Sequence, residues 1–140
     1  MNLLARREQS FFELVQKLTQ KFPDFGKHEI ILPALEILRE ENLQSDERFV
    51  EAYVRYRLTR GMGPMKIAME LGQKGANDSL IQNEIYNTQI DWVAHCRHVL
   101  SRKYPEGFGS TIEERQKLHR FLNQRGFEGE QIKKAARKYN

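Results

Sequence analysis

The sequence predicts an all-α fold: three tandem three-helix repeats stacked into an elongated, curved array. Three observations predict it. Helix starts and stops recur along the chain, with no alternating β-branched run to suggest a strand. The ten-residue pattern ELVQKLTQKF (13–22) returns as KIAMELGQKG (66–75) and KLHRFLNQRG (117–126), aligned without gaps. No single unit carries enough apolar residues to bury its own face, so the units must stack. The pattern equates Leu14, Ile67 and Leu118, then Leu18, Leu71 and Leu122, and a shorter helix with Ile31, Ile81 or Ile132 follows each copy. The repeats are set at 1–44, 45–88 and 89–140.

Each helix has its own punctuation. A short piece at Leu3–Arg7 comes first. Ser10-Phe11-Phe12-Glu13 reads as a capping box, in which serine takes an orphan N–H and glutamate returns the favour. The helix it opens runs to about Lys21, with Leu14 and Leu18 on one face and Pro23 as the stop. The next spans roughly Lys27–Glu41 and carries Ile31, Leu35 and Leu38. Pro33 removes a donor in its interior, so either a kink or a start near Leu32 is expected. Ser45-Asp46 caps a helix to about Arg60, ended by Gly61 and Gly63, and Pro64 opens another at the first helical position, where its missing N–H costs least. Gly75 stops that one. Asn77 or Asp78 caps a short helix to about Tyr86, and another runs from Asp91 to Lys103 before Pro105 and two glycines. Ser110-Thr111-Ile112-Glu113 reads as a second capping box for a helix ending at Gly126, and a last helix spans Glu128–Tyr139. Nine helices result.

The helix at 46–60 puts Phe49, Val50, Tyr53, Val54 and Tyr56 on one arc. Arg57 falls inside the arc, so its guanidinium is either paired with a carboxylate, Glu70 being the candidate, or reaches past the core to water. Arg55 lies on the opposite side, facing a partner.

Charge narrows the function. The 140 residues carry 23 Lys+Arg against 19 Asp+Glu, a net charge of +4, with a mean hydropathy of −0.71 and a pI near 9.3. Segment 76–94 has a net charge of −3 and segment 95–140 one of +6. The basic end suits an acidic partner, nucleic acid or an acidic protein groove, or else is a solvated helical surface. No apolar run approaches the roughly 20 residues that cross a bilayer. The start, MNLLARREQS, lacks a cleavage-site pattern, so no signal peptide is expected. Cys96 is the only cysteine and cannot form an internal disulfide, which fits a reducing cytoplasm.

Catalytic chemistry finds no purchase. Gly61-Met62-Gly63-Pro64 follows an amphipathic helix rather than a buried strand, proline replaces a needed donor, and no Lys-Ser or Lys-Thr follows. It is a helix–helix corner rather than a phosphate loop. His95 and His98 share a helical face, yet no second Cys or His group stands at ligand spacing, so a packed or solvated pair is expected. Cys96 has no partner base, and Glu40-Glu41 and Glu113-Glu114 sit at helix ends or on surface faces. No cofactor, metal or active site is expected.

With these residues in place, SDERFVEAYVRYRLTRGMGPMKIAMELGQKG (45–75) resembles the signature segment of the RecX family, regulators of the RecA recombinase. Ser45, Asp46, Arg48, Phe49, Tyr53, Val54, Arg55, Arg57, Gly61, Gly63, Pro64, Ile67, Glu70, Leu71, Lys74 and Gly75 match it. ARREQSFFEL (5–14), with Gln9 where the family has His, IDWVAHC (90–96), RKY (102–104) and RFLNQRGF (120–127) resemble further family segments. The family has a longer lead-in before the first repeat. The resemblance implies three tandem three-helix repeats and a non-enzymatic, monomeric, cytoplasmic regulator. Such a regulator binds RecA on single-stranded DNA, occupies the filament groove, and lowers filament growth, ATP hydrolysis and coprotease activity. Recombination and SOS induction are thereby restrained.

Partner-facing charges are expected at Arg55, Arg60, Lys66, Lys74, Arg120, Lys133, Lys134, Arg137 and Lys138, with weak non-specific DNA binding and no membrane contact. The alternative is a direct DNA-binding protein of helix-turn-helix type, with Gly-x-Gly-Pro as its turn. Its recognition helix should gather Arg, Asn and Gln on one exposed face, whereas 65–74 offers Ile67, Met69 and Leu71.

Overall fold

The computed structural model describes residues 8–87 and 89–137, and all regular structure among them is helical. Helix α1 (Phe11–Lys21) is followed by a π-helical turn (Lys27–Ile31) that runs into α2 (Leu32–Glu40). Then come α3 (Asp46–Thr59), α4 (Pro64–Gln73), α5 (Asp78–Tyr86), α6 (Trp92–Lys103), α7 (Ile112–Gln124) and α8 (Gly129–Arg137). The expected helix at Leu3–Arg7 and the end of the last helix at Lys138–Tyr139 lie outside the described residues.

The helices pack in triplets. α1 and α2 meet each other and the π turn; α3, α4 and α5 meet one another; α8 lies on both α6 and α7, most extensively on α6. Contacts between triplets are slighter, so the units follow one another as an all-α row of three-helix bundles.

Local chemistry explains the helix ends. At α1 both capping-box bonds form: Glu13 N–H donates to Ser10 Oγ at 3.0 Å and Ser10 N–H to Glu13 Oε1 at 3.2 Å. Ser45, Asn77 and Asp91 cap α3, α5 and α6 as their sequence positions suggest. The second capping box is corrected by one residue. Thr111 with Glu114 forms it, rather than Ser110 with Glu113. Both pairs have the right spacing, and it is the Glu114 carboxylate that folds back, over Gly109, onto Thr111. Its bonds with Thr111 hold the Glu114 carboxyl below its ordinary value. Pro33 is accommodated by the second of the two expected routes. It sits in the first turn of α2, and the turn before it widens so that Ile31 N–H reaches Gly26 O at 3.1 Å and Leu32 N–H reaches Lys27 O.

Burial divides unevenly. Units two and three share one continuous core, including Phe49, Val54, Ile67, Leu71, Ile85, Cys96, Leu122, Phe127 and Ile132. Unit one has a separate, small core of Val15, Ile31 and Leu35, with Leu14 and Leu18 only partly covered. The repeat equivalence holds for Ile31, Ile81 and Ile132, all buried. It weakens at Leu14 and Leu18, where Val15 takes the most buried position of α1. Leu38, expected on the apolar face with Ile31 and Leu35, is instead exposed. Its carbonyl accepts from Leu43 and Gln44 as the chain turns away after α2, and no later turn of that helix covers it.

Candidate interaction surface

The corner Gly61–Pro64 is where units two and three are stitched together. Gly63 N–H donates to Arg125 O at 2.6 Å and Met65 N–H to Gly126 O at 2.9 Å, so the corner pairs with the turn after α7. Gly63 and Pro64 are buried. A side-chain carbon at Gly63 would fall 2.5 Å from the Gly126 carbonyl carbon, so only glycine permits the approach. Opposite it, Gly126 adopts φ 97° and lies against the Lys66 backbone, where both the conformation and the space exclude a side chain. His95 closes the junction: Nε2 lies 3.0 Å from Met62 O and the ring packs on Trp92 and Phe127. Burial lowers the His95 pKa, so the ring is neutral near pH 7. Cys96, fully buried beside it, has its thiol pushed up to about 12 by burial.

Behind the corner, Arg57 takes the first of the two arrangements its place on the wheel left open, the pair with Glu70. Its Nε and Nη2 each lie 2.9 Å from the Glu70 oxygens, a two-pronged bridge, and Tyr53 OH donates to Glu70 Oε1 at 2.9 Å. Both charged side chains are only 17% exposed. Burial, followed by the bond to Glu70, raises the Tyr53 pKa. The trio locks α3 to α4.

The nine expected partner-facing cations do not share one face. Arg55 and Arg60 are exposed, on the outer side and at the end of α3. Lys66 is half-buried over Gly126, its Nζ 3.4 Å from Gln124 O, and so serves the junction. Lys74 is half-buried as well. Its Nζ sits 3.2 Å from Glu13 and 5.5 Å above the Tyr53 ring, tying unit one to unit two. Arg120, Lys133, Lys134 and Arg137 are exposed on unit three, and Lys138 lies outside the described residues. Lys133 and Arg137, with Arg115 and His119, rim a groove of about 410 Å³ between α7 and α8, floored by Leu118, Ile132 and Ala136.

A second concentration of charge escaped the sequence analysis. Arg102, Lys103 and Arg125 join Arg60 around a cleft between units two and three. Arg60, the adjacent Arg102 and Lys103, and Arg125 lie in three separate stretches of the sequence, so no local pattern gathers them; the +6 balance of 95–140 and the family-like segments 102–104 and 120–127 are the traces they leave. Among the described residues no group of three or more His, Cys, Asp or Glu could hold a metal ion, and no helix is long and apolar enough to cross a membrane.

Comparison with known proteins identifies the architecture. Residues 45–83 match the family model for the second three-helix domain of RecX, and residues 89–136 match the model for its third three-helix domain. The chain belongs to the RecX family. It is 40% identical over 136 residues to the regulatory protein RecX of Halorhodospira halophila, covering 97% of this chain and 83% of that one. It is 41% identical over 133 residues to the regulatory protein RecX of Pseudomonas entomophila, covering 94% and 83%. The crystal structure of RecX from Lactobacillus salivarius shares the fold with a TM-score of 0.70 at 22% identity, over 99% of this chain and 90% of that one. A second crystal structure of a regulatory protein RecX gives 0.71 at 23% identity, over 94% of this chain and 66% of that one. The RecX relatives are named as regulatory proteins, and the row of three-helix units is the fold this chain shares with them.

Proposed function

We propose that this protein binds RecA filaments on single-stranded DNA and restrains their growth, thereby lowering ATP hydrolysis, recombination and coprotease activity. It acts as a cytoplasmic regulator, without chemistry of its own. The observation that carries this reading is the match to regulatory RecX proteins along 97% of the chain. Geometry supports it. A row of small bundles offers several separate contacts to a partner that itself repeats, and engaging two protomers at once raises the effective affinity far above that of either contact. The exposed cations of unit three, Arg120, Lys133, Lys134 and Arg137, suit an acidic filament surface.

The test titrates the protein into RecA-coated single-stranded DNA while following ATPase rate and filament length. Both should fall with added protein. The triple variant Lys133→Glu/Lys134→Glu/Arg137→Glu should inhibit at least tenfold more weakly with an unchanged melting temperature. Unchanged inhibition by that folded variant moves the contact away from unit three. No inhibition by the wild type overturns the reading, and tight, sequence-dependent binding of duplex DNA alone favours a helix-turn-helix regulator.

A further inference from the structure

We propose that this chain associates head to tail with copies of itself, the outer face of α2 on one copy docking into the α7–α8 groove of the next. This self-association goes beyond the RecA reading and needs neither RecA nor DNA. Its first half is an apolar face on unit one. Ile31 and Leu35 fill the small core there. Ala34, Ile37 and Leu38 fall on the adjoining arc at i, i+3 and i+4, the spacing with which a helix enters a groove. All three are exposed, Ile37 by 53%, as is Ile30 one turn earlier. The repeat explains the exposure. In units two and three the first helix lies on the third, α3 on α5 and α6 on α8. Ala135, three residues after Ile132, is fully buried; Ala34, three residues after Ile31, is not. The described part of unit one supplies α1, the π turn and α2, without a helix corresponding to α3 or α6.

The second half is the groove of about 410 Å³ on unit three, floored by Leu118, Ile132 and Ala136 and almost wholly apolar between its cations. Charge fits the two together. Glu40 and Glu41 close the α2 face one turn beyond Ile37, and residues 22–44 hold five acidic side chains against two basic ones, a net charge of −3. Residues 112–137, which build the groove, hold seven basic against four acidic, a net charge of +3. The described ion pairs engage neither Glu40 and Glu41 nor the groove's Arg115, Lys133 and Arg137. An apolar helix face ending in carboxylates thus meets an apolar groove rimmed by cations, which sets both fit and direction. Two α2 faces set against each other would instead bring together two segments of −3 and leave the groove cations unmatched.

Within one chain α2 packs on α1 and the π turn, while α8 packs on α6 and α7, so the contact falls between copies. Face and groove lie on different units, which makes the contact heterologous: every copy added keeps one free face and one free groove, and growth does not stop at two. One helix face in one groove is a small interface, so the dissociation constant should be on the order of 10–100 µM. The monomer that the family resemblance implies is then the dilute state. Under the RecA reading Lys133 and Arg137 also serve the filament, so a copy docked in the groove competes with it.

Sedimentation equilibrium of the purified chain alone, from well below to well above that dissociation constant, tests the contact. The weight-average mass should rise from 16.6 kDa at the dilute end to more than twice that value at the concentrated end. Ile37→Lys spoils the face and Lys133→Glu/Arg137→Glu spoils the groove, all at exposed positions. Each variant alone should stay at 16.6 kDa with an unchanged melting temperature. Mixed in equal amounts, they should form a one-to-one dimer and stop there, because one intact face meets one intact groove. Should either variant fail to fold, Glu40→Lys/Glu41→Lys, with cations at a helix C-terminus, should weaken association at least tenfold. Ile37→Lys should inhibit RecA filaments at least as strongly as the wild type. Inhibition without self-association leaves the RecA reading standing and removes this one, and self-association without inhibition does the reverse. A wild type that stays monomeric throughout, association unchanged in the folded Ile37→Lys protein, or no dimer from the mixed variants would each overturn the proposal.

Discussion

Replacing Gly63 with alanine separates two effects that point in opposite directions. Gly63 has φ −95° and ψ 175°, extended backbone open to any residue, so alanine there carries no conformational strain. By chain entropy alone the change should stabilise by about 0.4–1 kcal/mol. The structure predicts the reverse. The new methyl carbon would meet the Gly126 carbonyl carbon at 2.5 Å and both Gly126 O and Phe127 N at 2.6 Å, where ordinary contact begins at 3.4 Å. These are backbone atoms and cannot rotate away, so the two units must part by nearly 1 Å. That separation stretches the 2.6 Å bond from Gly63 to Arg125 and the 2.9 Å bond from Met65 to Gly126 past useful length. Two hydrogen bonds at about 1 kcal/mol each and about 1–3 kcal/mol of overpacking, less the entropic gain, leave a net loss of about 2–4 kcal/mol. Thermal unfolding followed by circular dichroism should show Tm lower by on the order of 10 °C. Gly72→Ala is the control. Gly72 lies within α4 with nothing within 4 Å of the added carbon, and alanine there should stabilise by up to about 1 kcal/mol. A Gly63→Ala protein as stable as wild type would refute the close-approach account.

Three further outcomes are expected. Glu70→Ala strands the Arg57 guanidinium and the Tyr53 hydroxyl and should cost about 2–4 kcal/mol in urea unfolding, most of it recovered when Arg57→Met accompanies Glu70→Leu. Ser10→Ala removes both the α1 cap and the 2.6 Å bond to Lys74 O, a loss of about 1–2 kcal/mol. Hydrogen exchange should quicken in α1 while α6–α8 stay protected. Iodoacetamide at pH 8 should label Cys96 only at the rate of unfolding, because the thiol is buried and held protonated. Its pKa rises from 9.0 to about 12, so its contribution to stability is complete below pH 9 and fades towards pH 12, and Cys96→Ala should flatten that alkaline limb.

Helix ends were readable because capping is local chemistry. Ser10 with Glu13, Ser45, Asn77, Asp91 and the Gly61–Pro64 corner each carry their instruction within four residues of the end they specify. At Ser110 and Thr111 both serine with Glu113 and threonine with Glu114 have capping-box spacing, so spacing alone does not separate them, and the box forms one residue later than expected. The Arg57–Glu70 bridge was within reach of a helical wheel because α3 and α4 adjoin in sequence and space. The candidate site was legible in part. Exposure at Arg55, Arg60, Arg120, Lys133, Lys134 and Arg137 follows from their polar helix faces. Lys66 and Lys74 look the same in sequence, yet packing between units claims them, and that depends on residues 58 and 61 positions away. The cleft of Arg60, Arg102, Lys103 and Arg125 depends on the same long-range docking, which no single helix encodes.

The polar seam between units one and two sets the order in which a nascent chain can mature. Unit one leaves the ribosome first, yet what completes its opening helix comes later. The Phe11 N–H needs the carboxylate of Asp46, 35 residues on, and the Ser10 hydroxyl needs the carbonyl of Lys74, 64 residues on. With Val15, Ile31 and Leu35 as its buried apolar core among the described residues, that leading bundle has little to hold it before then. Synthesis and consolidation thus run in opposite directions: the last two bundles set together around their common interior, and the one made first is fastened to them afterwards.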